Sequence, residues 1–126
     1  MKKLLVLLAV FSLTLIGVAC NNSQQEQQQS SEKKITVEHQ LGKTEVTRNP
    51  EKVVVFDYGI LDSLDQLGIE VAAVPKSNIP TYLSKYEDKK YENAGTLQEP
   101  DFEKISELNP DLIIISARQQ SLYQEF

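Results

Sequence analysis

Arg118 is the residue whose type and position most directly indicate binding chemistry in this chain of 126 residues. It is one of two arginines, and it follows the apolar run Leu112–Ile115 by three positions. A guanidinium group can bind two oxygens of an anion at once, and it is less strongly hydrated than an ammonium group. If the apolar run is a buried strand, Arg118 lies just beyond its carboxyl end, and we expect it to face an anionic ligand. The alternative is a surface arginine on a new helix.

Two further candidate residues follow predicted strands in the same way. Tyr58 comes just after the apolar run Val53–Phe56, and Lys76 comes just after Val71–Val74. Ligands of open parallel sheets bind beyond the carboxyl ends of the strands, so the three loops are expected to meet at one edge. Tyr58 could pack its ring on the ligand or donate its hydroxyl, and Lys76 could add positive charge. The alternatives are an aromatic wedge between loop and sheet and a solvated turn lysine.

Most catalytic and metal-binding signatures are absent from the sequence. His39 is the sole histidine, which excludes a histidine cluster for a transition metal, and we interpret it as a solvated strand residue. The sequence has no nucleotide-binding glycine fingerprint and no nucleophile elbow. Asp57 and Asp62 could be paired carboxylates, but their positions favour a strand end and the open face of a helix. The sequence therefore predicts neither an enzyme nor a metal site built from protein ligands.

The elements that must position these residues alternate between strands and helices, which favours a parallel α/β sheet. Apolar spacing and Gly68 predict one helix, and a capping Asp101 predicts another. The predicted elements are a hairpin over 35–48, strands over 53–56, 71–74, 93–95 and 112–115, helices over 60–67 and 102–108, a weaker helical pattern around Tyr82–Tyr86, and the start of a helix from Ala117.

The first 19 residues have the pattern of a secretory signal peptide. Lys2 and Lys3 precede the apolar segment Leu4–Ile16, which is short for a membrane span. Cys20 is the only cysteine, so an exported chain cannot form an internal disulfide with it. The stretch LIGVAC resembles the lipobox of bacterial lipoproteins, although Gly17 is a less usual residue than leucine at its position. The resemblance implies that Cys20 carries lipid, including palmitate, and becomes the new N-terminus.

The segment 20–34 continues as a polar, glutamine- and serine-rich stretch. Such a stretch cannot bury enough apolar surface to offset its ordering entropy, so we interpret it as a disordered tether. Removing the leader changes the net charge from −5 to −7, because it holds two of the 13 basic and none of the 18 acidic residues. This charge disfavours a nucleic-acid partner. The predicted setting is the extracellular face of a bacterial cell membrane, in a Gram-positive organism.

Two long segments carry a family resemblance. NPEKVVVFDYGILDSLDQLGIEVAAVP and GTLQEPDFEKISELNPDLIIIS, within 49–116, resemble the N-terminal lobe of the iron–siderophore and cobalamin class of ABC-transporter solute-binding lipoproteins. FDYGILDSLDQLG, TYLSKY and ISARQ are similar, more narrowly, to the petrobactin and catecholate siderophore binders of bacilli. The resemblance implies two α/β lobes joined by a long helix, with the ligand between them. Residues 35–126 would then be an incomplete N-terminal lobe, with the rest following Phe126.

The resemblance also implies a function. The expected protein is a lipid-anchored receptor that captures an anionic ferric siderophore for an ABC permease and its ATPase, in iron transport. The siderophore's own oxygens saturate the iron, so no protein metal ligand is needed. Asp62, Asp65 and Glu70 are candidates for permease contacts, with a solvated helix face as the alternative.

Three different functions remain open at this point. The ligand could instead be haem or cobalamin bound by the same fold, with Tyr58 on the haem iron. The chain could be an enzyme built on the same sheet, although it lacks the motifs that such an enzyme needs. It could also be a truncated, non-functional product.

Overall fold

The computed structural model describes residues 34–126. The predicted signal peptide, Cys20 and all of the predicted tether except Lys34 lie outside the described residues. The predicted hairpin is confirmed: β1 (Lys34–His39) pairs with β2 (Gly42–Thr47) in antiparallel register. Lys34 already pairs with Thr47, so the first strand begins one residue earlier than predicted. Among the described residues, no helix is both long and apolar enough to span a bilayer.

The remaining strands are β3 (Val53–Val55), β4 (Ala73–Val74), β5 (Glu92–Asn93) and β6 (Leu112–Ile114), and they form a four-stranded parallel sheet in the order β5-β4-β3-β6. The chain moves outward from β3 through β4 to β5, and then crosses back to place β6 on the other side of β3. The topological switch point therefore lies between β3 and β6, which is where open α/β sheets bind ligands. The elements in order are β3 (Val53–Val55), α1 (Tyr58–Gln66), β4 (Ala73–Val74), a first 3-10 helix (Thr81–Glu87), β5 (Glu92–Asn93), α2 (Phe102–Leu108), β6 (Leu112–Ile114) and a second 3-10 helix (Ala117–Leu122).

Local signals fix the ends of both α-helices, and the sequence predicts two of them, the stop at Gly68 and the cap at Asp101. The Asp57 carboxylate accepts hydrogen bonds from two backbone amides of the first turn of α1, at 2.9 and 3.0 Å. Gly68 follows the last turn with φ of +70°, a left-handed conformation that a glycine adopts at little cost. Asp101 caps α2 in the same way, and Asn109 ends it with φ of +49°. These caps satisfy amides that the helix itself leaves unpaired.

The core has two layers because successive side chains of β3 point to opposite faces of the sheet. Val53 and Val55 pack with α1 and the first 3-10 helix, whereas Val54 and Phe56 pack with α2. The first layer consists of Val53, Val55, Leu61, Val71, Val74, Leu83, Tyr86 and Tyr91, and the second of Val54, Phe56, Ala73, Ala94 and Ile105. The sheet is thus covered on both faces around its central strand, as a parallel sheet requires.

The burial of β6 differs from the prediction. The sequence predicts that the run Leu112–Ile115 is buried, but all four residues are only half-buried. The reason is that β6 is an edge strand, which pairs with β3 and with no other strand of the described residues. Two further differences concern helix type and position. The segments Thr81–Glu87 and Ala117–Leu122 form 3-10 helices, and the predicted strand over 93–95 is β5 at Glu92–Asn93.

Candidate functional site

The carboxyl ends of β3 and β6 lie side by side at the switch point. The backbone amide of Phe56 donates to the carbonyl of Ile114 at 2.8 Å, which brings the next residues of both strands to the same edge. Arg118 lies at this edge, with Nη1 at 3.9 Å from Oδ2 of Asp57. The side chain of Arg118 is 57% exposed and that of Asp57 is 23% exposed. The structure therefore brings a solvent-accessible guanidinium to the sheet edge at which ligands bind.

Asp57 has two partners at this edge. One carboxylate oxygen caps α1, and the other faces Arg118 at a distance longer than a hydrogen bond. An exposed ion pair of this length contributes little to stability and leaves the guanidinium donors available. The arrangement can hold Arg118 near the edge and still let it bind two oxygens of an incoming anion.

Tyr58 joins the loop after β3 to the loop after β4. Its hydroxyl donates to the carbonyl oxygens of Pro75 and Ser77, at 3.0 and 2.7 Å, and its ring packs on the core beneath. Burial raises the pKa of this hydroxyl. Ligation of a haem iron by Tyr58 would require both hydrogen bonds to break, so the geometry disfavours haem ligation by this residue. No cluster of three metal-ligating side chains occurs in the part of the chain that the structure describes.

Lys76 is positioned after β4 as predicted, and its ammonium group binds the end of the first 3-10 helix. Nζ donates to the carbonyl oxygens of Glu87 and Asp88, at 3.3 and 2.7 Å. The backbone amide of Lys76 donates to Oδ1 of Asn93 at 3.2 Å. Lys76 therefore closes the last turn of that helix, where carbonyl groups lack intrahelical partners.

Gln119 follows Arg118 at this edge, and its role is not among those that the sequence predicts. Its side chain is fully buried, and Oε1 accepts from the backbone amide of Ser116 at 3.0 Å. The amide nitrogen, Nε2, donates to the carbonyl of Leu97 in the loop after β5. Ser116 and Gln119 form a capping box at the start of the second 3-10 helix. The pattern of serine followed three residues later by glutamine is a recognisable signal for this motif.

The loop that offers the Leu97 carbonyl is shaped by Gly95. Gly95 has φ of +99°, and a Cβ at this position would lie 2.5 Å from the carbonyl oxygen of Glu99 and 2.7 Å from the amide of Asp101. Both are backbone atoms, so they cannot turn aside as a flexible side chain would. The tight fold of the loop therefore depends on a glycine at this position.

His39 is half-buried, so its interpretation as a solvated residue is wrong. Nε2 lies 2.8 Å from Oγ1 of Thr44, and Nδ1 accepts from the amide of Leu41 at 3.2 Å. The Tyr123 hydroxyl lies 3.0 Å from the same threonine oxygen, and its ring meets the histidine ring edge-on. The reason is tertiary: the segment that follows Arg118 packs against the hairpin and covers the histidine.

Two of the three acidic residues considered for permease contacts have partners within the chain. Asp65 forms an ion pair with Lys85, and Oε2 of Glu70 lies 3.7 Å from Nζ of Lys90. Asp62 is half-buried on α1. All three lie on or just beyond α1, on the face of the sheet opposite to the face that α2 covers.

Residues 53–126 match the family model described as periplasmic binding protein. The chain is 52% identical over 132 residues to the petrobactin-binding protein YclQ of Bacillus subtilis strain 168, covering 100% of this chain and 42% of that protein. The crystal structure of YclQ matches with a TM-score of 0.73 and 58% identity, over 75% of this chain and 34% of that chain.

Two more proteins of similar sequence or structure carry names that describe binding proteins. The catecholate-siderophore binding protein VctP from Vibrio cholerae matches with a TM-score of 0.68 and 47% identity, over 74% of this chain and 34% of that chain. YhfQ of Bacillus subtilis strain 168, whose name describes a substrate-binding lipoprotein of an ABC transporter, is 38% identical over 130 residues, covering 99% of this chain and 40% of that protein. The chain spans about two fifths of the length of these curated relatives. The predicted fold class is confirmed, as a parallel α/β sheet preceded by a hairpin.

Proposed function

Because the chain belongs to the periplasmic binding protein family, we propose that it serves an ABC importer as a solute-binding component for an anionic ferric siderophore. The importer's permease and ATPase are its partners in this proposal, and iron uptake is the outcome. The sheet edge between β3 and β6 forms one side of the binding site. Two of the similar proteins carry names that include petrobactin or catecholate siderophores, which supports this ligand class.

The observation that carries the proposal is the position of Arg118. Ferric complexes of catecholate and carboxylate siderophores are anions with several exposed oxygens. A guanidinium binds such oxygens in pairs, and Arg118 presents one at the switch point of the sheet, mostly exposed. Its partner Asp57 lies 3.9 Å away, so the ligand does not have to break a tight ion pair.

Tyr58 and Lys76 have supporting parts in the proposal. Tyr58 joins the start of α1 to the loop after β4, and Lys76 joins that loop to the end of the first 3-10 helix, so together they hold the loop after β4 in place. No protein group has to bind the iron, because the siderophore's own oxygens complete its coordination. The proposal therefore requires a basic, shaped surface rather than a metal centre.

We also propose that Cys20 carries the lipid that holds the protein on the extracellular face of the membrane, with the segment 20–34 as tether. The lipobox-like stretch LIGVAC and the lipoprotein name of YhfQ support this placement. A single acyl chain gives only marginal membrane binding, so stable anchoring needs the several chains that a bacterial lipoprotein cysteine carries.

The test is a tyrosine-fluorescence titration of the full chain with ferric petrobactin. We expect Arg118→Ala to weaken binding by about tenfold to a hundredfold, because a charge-assisted hydrogen bond contributes about 1.5–3 kcal/mol. Arg118→Lys should bind with intermediate affinity, since lysine keeps the charge but cannot bind two oxygens in a plane.

The matched control is Arg48→Ala, which removes the other arginine of the chain and should leave the affinity unchanged. Equal affinities for the parent chain and Arg118→Ala would contradict the proposal. A parallel titration with haem separates the ligand classes, because haem bound through a protein ligand gives a Soret band that a ferric catecholate lacks.

A further inference from the structure

We propose that Gln119 is a positioning residue for the anion contact, holding Arg118 beside Asp57 by joining the loop after β6 to the loop after β5. The inference rests on the proposed function, in which Arg118 meets the ligand. Gln119 itself is fully buried and does not reach solvent or ligand. Its effect on binding would therefore be indirect, through the position that it gives to Arg118.

The burial of Gln119 makes its geometry specific. Among residues 34–126 it is the one buried side chain that is polar or charged, apart from the tyrosines of the core. A buried amide that loses its partners costs about 1–3 kcal/mol, so the segment is held where Oε1 and Nε2 are both satisfied. Oε1 meets the amide of Ser116 at 3.0 Å, and Nε2 meets the carbonyl of Leu97. The Gln119 side chain thereby fixes both the turn from Ser116 to Gln119 and the distance of this turn from the loop after β5.

These contacts determine where Arg118 points. The capping box sets the backbone from Ser116 to Gln119, and Arg118 is the residue between the two partners that carries a charge. The other end of the same 3-10 helix is held separately, because the Tyr123 hydroxyl lies 3.0 Å from Thr44 of the hairpin. A guanidinium on a segment fixed at both ends loses less conformational entropy on binding than one on a free loop.

The experiment is a double-mutant cycle in the full chain, with ferric petrobactin as the probe. We expect Gln119→Leu to lower affinity by about tenfold, and Arg118→Ala to lower it by at least as much. If Gln119 acts through Arg118, the double variant binds no more weakly than Arg118→Ala alone. Gln120→Leu is the matched control, since it makes the same change at an exposed neighbour and should leave affinity unchanged.

A second readout needs no ligand. Heteronuclear NOE values of the backbone amides from Ala117 to Gln120 should fall in Gln119→Leu and stay unchanged in Gln120→Leu. Losses of affinity that multiply in the double variant would overturn the inference, and so would an unchanged NOE profile. If Arg118→Ala alone leaves affinity intact, the anion contact of the proposed function fails, and the inference fails with it.

Gln119→Glu covers the case in which Gln119→Leu does not fold. The two side chains have the same size, and the glutamate can still accept from Ser116. Burial at this position raises the pKa of a carboxylic acid above its ordinary value, so the acid would be protonated at the lower pH and could donate to the Leu97 carbonyl as the amide does, whereas the carboxylate at pH 8 would repel it. Affinity relative to the parent chain should therefore recover from about a tenth at pH 8 to near parity at pH 5. A ratio that does not change with pH would contradict a role for the Leu97 contact.

Discussion

At the scale of single residues, Asp57 forms a weak ion pair with Arg118 that an incoming anion could replace. Its carboxylate caps α1 with one oxygen and keeps the other 3.9 Å from the guanidinium. The pair is partly exposed, so water and salt screen it. An anionic ligand with two well-placed oxygens would replace the weaker interaction, and Asp57 would keep its cap. One carboxylate thus contacts both the start of α1 and the guanidinium of Arg118.

The prediction for single residues concerns the stability contributed by the Tyr58 hydroxyl. Tyr58→Phe removes the hydroxyl that donates to the carbonyls of Pro75 and Ser77. We expect the free energy of unfolding to fall by about 1 kcal/mol, because a net hydrogen bond is lost while the ring still packs. Urea denaturation measures the change, and Tyr82→Phe, at a ring that is 68% exposed, is the control. Equal midpoints for the two variants would show that the hydroxyl does not tie the loops together.

At the scale of elements, Asp111 fastens the start of β3 to the start of β6. Its Oδ2 accepts from the backbone amides of Glu51 and Lys52, at 2.9 and 2.8 Å. The Lys52 ammonium donates to the carbonyl of Leu108 at the end of α2, at 3.0 Å. These contacts lie at the edge opposite to Arg118, so they support the sheet without touching the candidate site.

A pH dependence follows from this contact. Hydrogen bonds from the amides of Lys52 and then Glu51 hold the pKa of Asp111 below its usual value. The folded state therefore binds this proton less tightly than the unfolded state. Its contribution to stability is present above the usual aspartate pKa, near 4, and is lost as the pH falls through the lower folded pKa. Asp111→Asn should be less stable at pH 7 and should show a flatter loss of stability in acid.

Thermal melts between about pH 2 and pH 7 measure this difference, and Glu107→Gln on exposed α2 surface is the control. If Asp111→Asn keeps the acid-induced loss of the parent chain, another carboxylate must be responsible.

The elements also show what a sequence can predict. The stop at Gly68 and the cap at Asp101 act within a few residues, so local patterns are enough to locate both α-helices. The cap at Asp57, which the sequence analysis assigns to a strand end, moves the start of α1 two residues earlier than predicted. The 3-10 form of Ala117–Leu122 depends on the hairpin and on Leu97, which lies 22 residues from Gln119. Likewise, the exposure of β6 depends on which strand lies beside it. These contacts join residues that are far apart in the sequence, so no local pattern indicates them. Tertiary contacts therefore decide the 3-10 form of this segment and the exposure of β6.

At the scale of the whole described region, the surface has an apolar groove. A cavity of about 1000 Å³ lies between the hairpin and β6. Its walls include Ile35 and Val37, whose side chains are 42% and 41% exposed, and the half-buried β6. Exposed apolar surface beside an unpaired strand edge promotes association between copies.

The corresponding prediction concerns solubility. Val37→Lys places a charge in the groove, and we expect it to reduce concentration-dependent self-association of the chain. Light scattering over a series of protein concentrations measures the effect. Ile69→Lys is the control, because Ile69 is exposed to a similar degree, 44%, but does not line the groove. Equal scattering by the two variants would show that the groove is not where copies meet.

The loop after β5 has a consequence for how this protein can evolve. Any side chain at position 95 would push on two backbone atoms of its own loop, so the loop would have to open and carry the Leu97 carbonyl away from Gln119. A substitution at position 95 would therefore disturb the segment that carries Arg118 without changing that segment's own sequence. A lineage that loses this glycine would need further changes in the same turn to restore the contact between Leu97 and Gln119.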